Sequence, residues 1–313
     1  MSLPSPSVVV VTGGGRGIGR AVALALGGQG HPVCVDDPGV GLDGRGPDPG
    51  PARAVAGEIR AAGGSAMASD VDARAPGTAR ALVADVEAWA GRSPTVLVHA
   101  AGTLRDGMVH KASDDDWDEV LGAHLSVAVQ LTRAMAPAIR NGRDGRIVYL
   151  GSASGLVGSV GQAAYAVAKA GLFGLTRAVA LEMAGRDVCV NYVAPFAYTR
   201  MTESIPPVTE QLRAYLAAAP GATAHDVAPL VAWLCSPAAT GVTGQVLGAR
   251  GAQVALWSQP RPIAQVDEPN GWDIRSLEEI ARPVFDPHLT PLESEFDLFG
   301  GPPVAPTRRR RSP

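Results

Sequence analysis

The sequence predicts an α/β fold, a Rossmann-type doubly wound parallel sheet in a single domain with a Pro-rich C-terminal extension. Short apolar runs alternate with helical patterns, the runs are continuously apolar, and a glycine cluster separates the first strand from the first helix. Continuous apolar strands are typical of a parallel sheet that is covered on both faces. Right-handed crossovers then place a ligand at the carboxyl ends of the strands.

The predicted strands are short, rich in β-branched residues and bounded by turn residues. We expect them at residues 8–11, 33–35, 65–69, 95–99, 146–150, 188–193 and within 245–256. Apolar periodicity predicts the helices, at residues 18–28, 52–62, 78–89, 114–140, 163–184 and 224–235. Ser113 and the acidic run after it suit the start of the long helix.

Composition and charge exclude several classes of protein. Of the 313 residues 46% are hydrophobic, so the chain can bury a core and is not wholly disordered. A net charge of −3 argues against a dedicated nucleic-acid binder. No apolar run approaches the roughly 20 residues of a membrane span, and no leader pattern opens the chain, so we expect a cytoplasmic protein. Cys34, Cys189 and Cys235 lie far apart without a C-x-x-C spacing, so we expect neither a disulfide nor a metal site.

The composition changes from Ser258 onward, where prolines break any regular element. We expect one domain over residues 1–258 and an extension over 259–313 that wraps the domain or a partner subunit. A short helix is expected near 274–281. The last ten residues are predicted to be disordered, with the arginines at 308–311 as a solvated tag; binding of an anionic partner is the alternative.

A glycine-rich loop follows the first strand. It reads Thr-Gly-Gly-Gly-Arg-Gly-Ile-Gly over residues 12–19, with the spacing Gly-x-x-x-Gly-x-Gly. Backbone N–H groups at the start of a helix can bind a pyrophosphate, so the loop predicts a dinucleotide site. The alternative is a tight turn without a ligand. The candidate contacts are Gly13, Arg16, Gly17, Ile18 and Gly19.

Acidic residues end the second and third strands. Asp36 or Asp37 can accept hydrogen bonds from a ribose and repel a 2′-phosphate, which favours NAD over NADP. Arg16 could instead hold a 2′-phosphate, so NADP is not excluded. Asp70 and Val71 could contact the adenine. For each of these acids, a role as turn residue or strand terminator is the alternative.

Ser152, Tyr165 and Lys169 form the strongest candidate for catalysis. Tyr165 and Lys169 lie four residues apart on a predicted helix and share a face, and Ser152 follows a predicted strand at the ligand-binding edge. An ammonium group one turn away should lower the pKa of the tyrosine and make it a proton donor and acceptor. The serine hydroxyl can hold a carbonyl or hydroxyl oxygen. An ordinary pair on a helix surface is the alternative.

The scarcity of lysine supports this interpretation. The 27 basic residues include only two lysines, Lys111 and Lys169. Arginine therefore serves wherever a positive charge is sufficient. A lysine kept at this spacing indicates a role that needs a compact ammonium group, which arginine cannot replace.

The glycine spacing, Ser152 and Tyr165-x-x-x-Lys169 together resemble the short-chain dehydrogenase/reductase family, over about residues 7–257. The stretches 103–117 and 194–202 are similar to its (3R)-hydroxyacyl-CoA dehydrogenase and 17β-hydroxysteroid dehydrogenase type 4-like group. The resemblance implies that the serine positions a carbonyl, the tyrosine is the general acid/base and the lysine binds the nicotinamide ribose. It also implies that Thr199 contacts the nicotinamide carboxamide.

Three positions depart from the family pattern. The family's Asn-Asn-Ala-Gly reads His-Ala-Ala-Gly here, which leaves Ala100, Ala101 and Gly102 as candidate cofactor contacts. The family's catalytic asparagine falls at His124, where the named group also has histidine; a proton relay from Lys169 and a packed histidine are the two interpretations. Pro195, a further candidate contact, is followed by Phe196 instead of glycine.

These features predict an NAD(P)-dependent oxidoreductase that acts on a secondary alcohol or ketone. The expected substrate is a 3-hydroxyacyl or 3-oxoacyl thioester, bound under a lid at about residues 196–220. The alternatives are a ketoreductase of a polyketide-like pathway and a non-redox or regulatory cofactor-binding protein. Apolar residues on several faces of the two long helices predict a homodimer or homotetramer.

Overall fold

The computed structural model describes residues 6–42, 44–142, 144–203, 210–299, 301 and 303–306. Eight strands form one sheet in the order β3-β2-β1-β4-β5-β6-β7-β8. The first seven run parallel, and β8 pairs antiparallel with β7, so the predicted fold class is confirmed. The strands are β1 (Val9–Thr12), β2 (Val33–Asp36), β3 (Ala66–Ser69), β4 (Val96–His99), β5 (Gly145–Leu150), β6 (Val188–Phe196), β7 (Val246–Arg250) and β8 (Gln253–Leu256).

Helices cover both faces of the sheet, and each face holds its own apolar core. Every residue of β1, β2, β4 and β5 is buried, as the continuous apolar runs predict. The main helices are α1 (Gly17–Gly28), α2 (Gly50–Ala61), α3 (Thr78–Ala90), α4 (Asp114–Leu121), α5 (Val127–Asn141), α6 (Ser154–Val157), α7 (Ala163–Glu182), α8 (Arg200–Glu203), α9 (Glu210–Ala218) and α10 (Ala224–Leu234).

The order of the strands reverses at β1, which has β2 on one side and β4 on the other. Thr12 is in register with Asp36 on β2 and with His99 on β4. These polar residues therefore lie side by side at the carboxyl edge of the sheet. This switch point is where open α/β sheets bind their ligands.

The structure corrects four predicted elements. The long helix at 114–140 contains one π-helical turn, Gly122–Ser126, between α4 and α5. The last strand is a hairpin of two strands, because Gly251, at φ +59°, turns the chain between β7 and β8. Strand β6 continues to Phe196, three residues beyond its predicted end. The expected lid contains the helices α8 and α9, and its residues 204–209 lie outside the described ranges.

The chain divides into two compact units, 1–257 with 294–313, and 258–293. The extension predicted as one piece is thus split at residue 293. Unit 258–293 contains α11 (Ile274–Ser276), a π-helical turn Leu277–Ala281 and α12 (Arg282–Phe285). The arginines predicted to form a tag lie outside the described residues.

Candidate active site

The structure brings Ser152, Tyr165 and Lys169 together. Ser152 follows β5, and the other two lie one turn apart on α7, as the spacing predicts. The Ser152 hydroxyl hydrogen-bonds with the side chain of Tyr165. The Lys169 ammonium lies 5.5 Å from the centre of the Tyr165 ring and donates a 2.6 Å hydrogen bond to the carbonyl oxygen of Leu150. A proton donor, an oxygen-binding hydroxyl and a buried cation therefore share one edge of the sheet.

Burial dominates the ionisation of this group. It raises the pKa of Tyr165 to about 12, although the hydrogen bond with Ser152 lowers it, and it lowers the pKa of Lys169 to about 7. The net shift of the Tyr165 pKa is therefore upward, against the expectation of a lowered value, because burial outweighs the groups that favour the phenolate. The physical reason is that the ammonium donates its hydrogen bond to the backbone of β5, while the phenolate loses its solvation.

Tyr192 on β6 fixes Ser152, a contact that the sequence analysis missed. Its hydroxyl accepts a 2.8 Å hydrogen bond from the Ser152 N–H and donates a 2.7 Å bond to the Ser152 carbonyl. The ring passes so close that a Cβ at Gly151 would lie 1.8 Å from its Cζ atom. A tyrosine within an otherwise apolar strand was the available signal, because a buried hydroxyl needs a partner.

His99 links β1 to the π-helical turn. Its Nε2 lies 2.7 Å from the carbonyl oxygen of His124, and its Nδ1 lies 2.8 Å from the Thr12 hydroxyl. Because a carbonyl only accepts, Nε2 donates and Nδ1 accepts the Thr12 proton. Burial, with the nearby charge of Lys169, lowers the pKa of His99 to about 3 and keeps it neutral. The Nε2–H of His99 therefore satisfies the carbonyl oxygen of His124, which lies in the π-helical turn.

His124 packs directly against the Tyr165 ring. The two rings meet edge to face with centroids 5.2 Å apart, and His124 Nε2 lies 2.7 Å from the carbonyl oxygen of Thr103. Burial and the charge of Lys169 hold the pKa of His124 well below its usual value. A Cβ at Gly102 would lie 1.9 Å from the ring, so only glycine fits there. The histidine is neutral and positioned next to Tyr165. π-Helical turns of this kind are frequent at functional sites.

A cavity of about 430 Å³ runs along the switch point. Twelve of the predicted cofactor contacts line it: Gly13, Arg16, Gly17, Ile18, Gly19, Asp36, Asp37, Val71, Ala100, Ala101, Gly102 and Thr199. Asp70 is exposed and does not line the cavity, whereas Asp72 does. Pro195 lines a separate, smaller cavity. Sequence reasoning missed other lining residues, which approach from distant loops: Thr103, Arg74, Tyr198, Arg200 and Met201.

The backbone of the glycine loop fits a dinucleotide. Gly13 has φ +63°, and a Cβ there would lie 2.7 Å from the backbone of Ala101. A Cβ at Gly19 would lie 2.1 Å from the Gly13 carbonyl oxygen. Within the described residues, no side chain caps the start of α1 and its first turn has no acidic residue. The free N–H groups and the helix dipole therefore suit a pyrophosphate.

The two acids behind this loop have different surroundings. Asp37 accepts hydrogen bonds from the backbone N–H groups of Gly15 at 2.9 Å and Gly39 at 2.7 Å. Asp36 is buried, and burial raises its pKa to about 7, with an opposing hydrogen bond from Ser69. The Arg16 guanidinium donates to the carbonyl oxygens of Gly39 and Val40, at 3.0 and 3.1 Å. The cationic and acidic candidates for ribose contact thus lie side by side.

Helix α7 is also the one described helix that is long and apolar enough to cross a membrane, judged by length and composition. Ala168, Leu172 and Val179 on this helix are buried in the core, and the helix packs on β6. Its apolar composition therefore follows from its place in the domain. The described residues contain no group of three or more potential ligands that could hold a metal ion.

Comparisons with known proteins agree with this geometry. A family model described as enoyl-(acyl carrier protein) reductase matches residues 13–251. A short-chain type dehydrogenase/reductase of Mycobacterium tuberculosis is 41% identical over 73% of this chain and 77% of that protein. A hydroxyacyl-CoA dehydrogenase of the same organism is 37% identical over 90% of this chain and 89% of that protein. The crystal structure of a short chain dehydrogenase from Mycobacterium avium superposes with a TM-score of 0.77 at 34% identity, covering 92% of this chain and 97% of that one.

Proposed function

The chain belongs to the short-chain dehydrogenase/reductase family, and from that premise we propose that it interconverts 3-hydroxyacyl and 3-oxoacyl thioesters. The family resemblance is thereby confirmed, and with it the class of enzyme, an NAD(P)-dependent oxidoreductase. The observation that carries the proposal is the Ser152, Tyr165 and Lys169 group, which His124 connects to Gly102 in the wall of the dinucleotide cavity. The similarity to a hydroxyacyl-CoA dehydrogenase over nearly the whole chain supports the thioester as substrate.

Three side chains have separate roles in the proposed reaction: one binds the reacting oxygen, one transfers the proton and one supplies a positive charge. Ser152 binds the substrate oxygen, and Tyr165 passes its hydroxyl proton to that oxygen or receives a proton from it. Lys169, near the tyrosine, favours the charged phenolate whenever its own amino group is protonated. When bound, the nicotinamide cofactor supplies the hydride donor or acceptor. Thr199, Tyr165 and Lys169 are the residues that would hold its nicotinamide half.

His124 would extend the proton path behind Tyr165. Its ring lies against the tyrosine, and its own pKa is low, so it stays neutral and can pass a proton without adding charge. Lys169, whose charge is felt at both His124 and His99, lies within the same group. The proton would thus travel between Tyr165, Lys169 and His124 through intervening solvent.

The cofactor that we propose is NAD. Asp37 is held in place by two backbone N–H groups at the end of the cavity, where a carboxylate disfavours a 2′-phosphate. Arg16 is already bonded to two loop carbonyls, which reduces its freedom to bind a phosphate. We further propose a cytoplasmic homodimer or homotetramer that binds neither nucleic acid nor membrane.

A carrier-protein thioester is the second candidate substrate, as in a polyketide-like ketoreductase. The family model, whose description names an acyl carrier protein reductase, favours it. The chemistry at Tyr165 is the same for both carriers. Comparison of kcat/KM for acetoacetyl-CoA and for the same acyl group on a carrier protein would separate the two.

The test is hydride transfer measured by the absorbance of the reduced cofactor, with acetoacetyl-CoA or 3-hydroxybutyryl-CoA. Tyr165→Phe should lower kcat by roughly 10²–10⁴-fold, the usual contribution of a general acid/base, and leave cofactor binding intact. Tyr149→Phe is the matched control, since its hydroxyl bonds with Thr132 at 2.6 Å, away from the site. Wild-type turnover in Tyr165→Phe would refute the mechanism. Cofactor binding without turnover of any ketone would instead support a regulatory binding protein.

A further inference from the structure

The end of the chain returns to the catalytic domain. Helix α13 (Glu295–Leu298) and the residues after it belong to the same compact unit as residues 1–257. The Ala252 N–H donates a 2.9 Å hydrogen bond to the carbonyl oxygen of Val304. The Arg250 guanidinium donates to the carbonyl oxygen of Gly301. These bonds attach the returning segment to the β7–β8 hairpin.

Two glycines make room for this segment. A Cβ at Gly251 would lie 2.3 Å from the carbonyl oxygen of Val304, and a Cβ at Gly221 would lie 2.8 Å from the Ala305 side chain. Real Cβ atoms do not approach other atoms so closely, so larger residues would displace the segment. The domain surface is therefore shaped to receive the end of its own chain.

Aromatic rings and one arginine hold the segment above the substrate side of the sheet. The Arg250 guanidinium lies over the Phe299 ring at 4.7 Å and over the Tyr215 ring at 5.4 Å. Phe299 meets Trp257 edge to face, with centroids 5.8 Å apart. Cation–π contacts of a buried arginine are favourable, so this packing stabilises the returning segment on the domain.

This arrangement puts Glu295 in the wall of a small cavity beside the residue that follows Ser152. Glu295 lines a cavity of about 10 Å³ with Ala153, which directly follows Ser152, and with Phe196 at the end of β6. A negative charge on Glu295 raises the pKa of Tyr165, as it does those of Tyr192 and Tyr215. The carboxyl therefore lies within electrostatic reach of three tyrosines on three different elements.

We propose that Glu295 is a positioning residue for catalysis: the C-terminal segment places its ionisable carboxyl in the cavity next to the residue that follows Ser152, and its negative charge opposes the loss of the Tyr165 proton. This rests on the proposed oxidoreductase function. Ionised Glu295 opposes the phenolate, and protonated Glu295 does not. Burial raises the pKa of Glu295 to about 7, with Arg250 opposing, so the switch falls in the neutral range.

Other titratable groups surround the pair. Those facing Glu295 are Arg250, Tyr192 and Tyr215, and those facing Tyr165 are Lys169, His124 and Asp106. Within this described set, Glu295 and Lys169 have pKa values of about 7, while burial and Lys169 keep His124 neutral. The effect of ionising Glu295 is therefore distinguishable from an effect of ionising His124.

The experiment compares Glu295→Gln with the full-length wild type in the oxidation of 3-hydroxybutyryl-CoA across pH 6 to 9. Below pH 7 Glu295 is protonated, so the kcat/KM ratio of variant to wild type should be close to one. Above pH 7 the ratio should rise to roughly threefold to tenfold, because the uncharged glutamine no longer opposes the phenolate. Glu295→Asp, which stays ionisable, should behave as the wild type.

Glu293→Gln is the matched control, an exposed residue with the same change of charge two positions earlier. Its ratio to the wild type should stay at one throughout. A ratio for Glu295→Gln that is constant with pH, or that Glu293→Gln reproduces, would overturn the proposal while leaving the oxidoreductase intact. A melting temperature equal to that of the wild type shows that the variant is folded. If the wild type itself transfers no hydride, the proposed function and this inference are both refuted.

Discussion

Tyr192 and Tyr149 offer a test of how the strand register supports catalysis. They lie directly opposite each other on the neighbouring strands β6 and β5, and both are fully buried. Tyr192 makes two hydrogen bonds, both with the backbone of Ser152. Tyr149 makes one, with the hydroxyl of Thr132. Tyr192→Phe thus removes two hydrogen bonds to the backbone of Ser152, whereas the same change at Tyr149 removes none of them.

The expected costs follow from these bonds. In Tyr192→Phe the N–H and carbonyl of Ser152 lose their partner, and a buried unsatisfied polar group costs about 1–3 kcal/mol. Two such groups predict a destabilisation of roughly 2–6 kcal/mol, whereas Tyr149→Phe, which leaves only the Thr132 hydroxyl without its partner, should cost about 1–3 kcal/mol. Since Ser152 then loses its fixed position, kcat of Tyr192→Phe should fall by at least about tenfold, a barrier increase of about 1.4 kcal/mol.

Urea unfolding with kcat and KM measured on the same preparations would check both effects. Tyr149→Phe should be less destabilised than Tyr192→Phe and fully active. The reasoning is refuted if Tyr192→Phe retains wild-type kcat, or if the two variants lose stability and activity in equal measure. In that case the hydrogen bonds to Ser152 would have no role in holding its hydroxyl.

Three other outcomes are expected. Lys169→Arg should lower kcat/KM by at least about tenfold, because the wider guanidinium does not fit where the ammonium bonds with the Leu150 carbonyl. Lys111→Arg, a control at an exposed position, should leave kcat/KM unchanged. Equal kcat/KM values for the two variants would contradict the argument from lysine scarcity. Replacing Asp36 and Asp37 together by Ala should reduce or reverse a preference for NAD, measured as kcat/KM for each cofactor; a wild type that prefers NADP would show that Arg16 outweighs the acids. Size-exclusion chromatography should show a dimer or tetramer, and a monomer would contradict that prediction.

The features that the sequence predicted are those that depend on local pattern. The alternation of apolar runs and helical periods predicts the strands and their parallel order. The four-residue spacing of Tyr165 and Lys169 predicts that they share a helix face, and the position after a strand places Ser152 at the same edge. Each of these inferences needs only neighbouring residues and the rules of strand connection.

The missed features depend on contacts between distant residues. The π-helical turn at Gly122–Ser126 interrupts a helix whose overall apolar periodicity predicted one continuous element. Glu295 lies far along the chain from Tyr165, in a segment whose prolines and apolar residues gave no sign of a carboxyl at the site. Asp70 was predicted as a contact because it follows the third strand, but it is exposed, and the neighbouring Val71 and Asp72 line the cavity instead.

The charges around Tyr165, whose pKa burial raises to about 12, should shape the pH dependence of the rate. Burial lowers the pKa of Lys169 to about 7 and raises that of Glu295 to about 7. As the pH rises through 7, the site loses a positive charge and gains a negative one, and both changes disfavour the phenolate. The rate of alcohol oxidation should therefore rise with pH less steeply than one decade per unit. In a variant without the Glu295 carboxyl, only Lys169 still changes charge near pH 7. The rate of alcohol oxidation should therefore rise more steeply with pH than in the wild type.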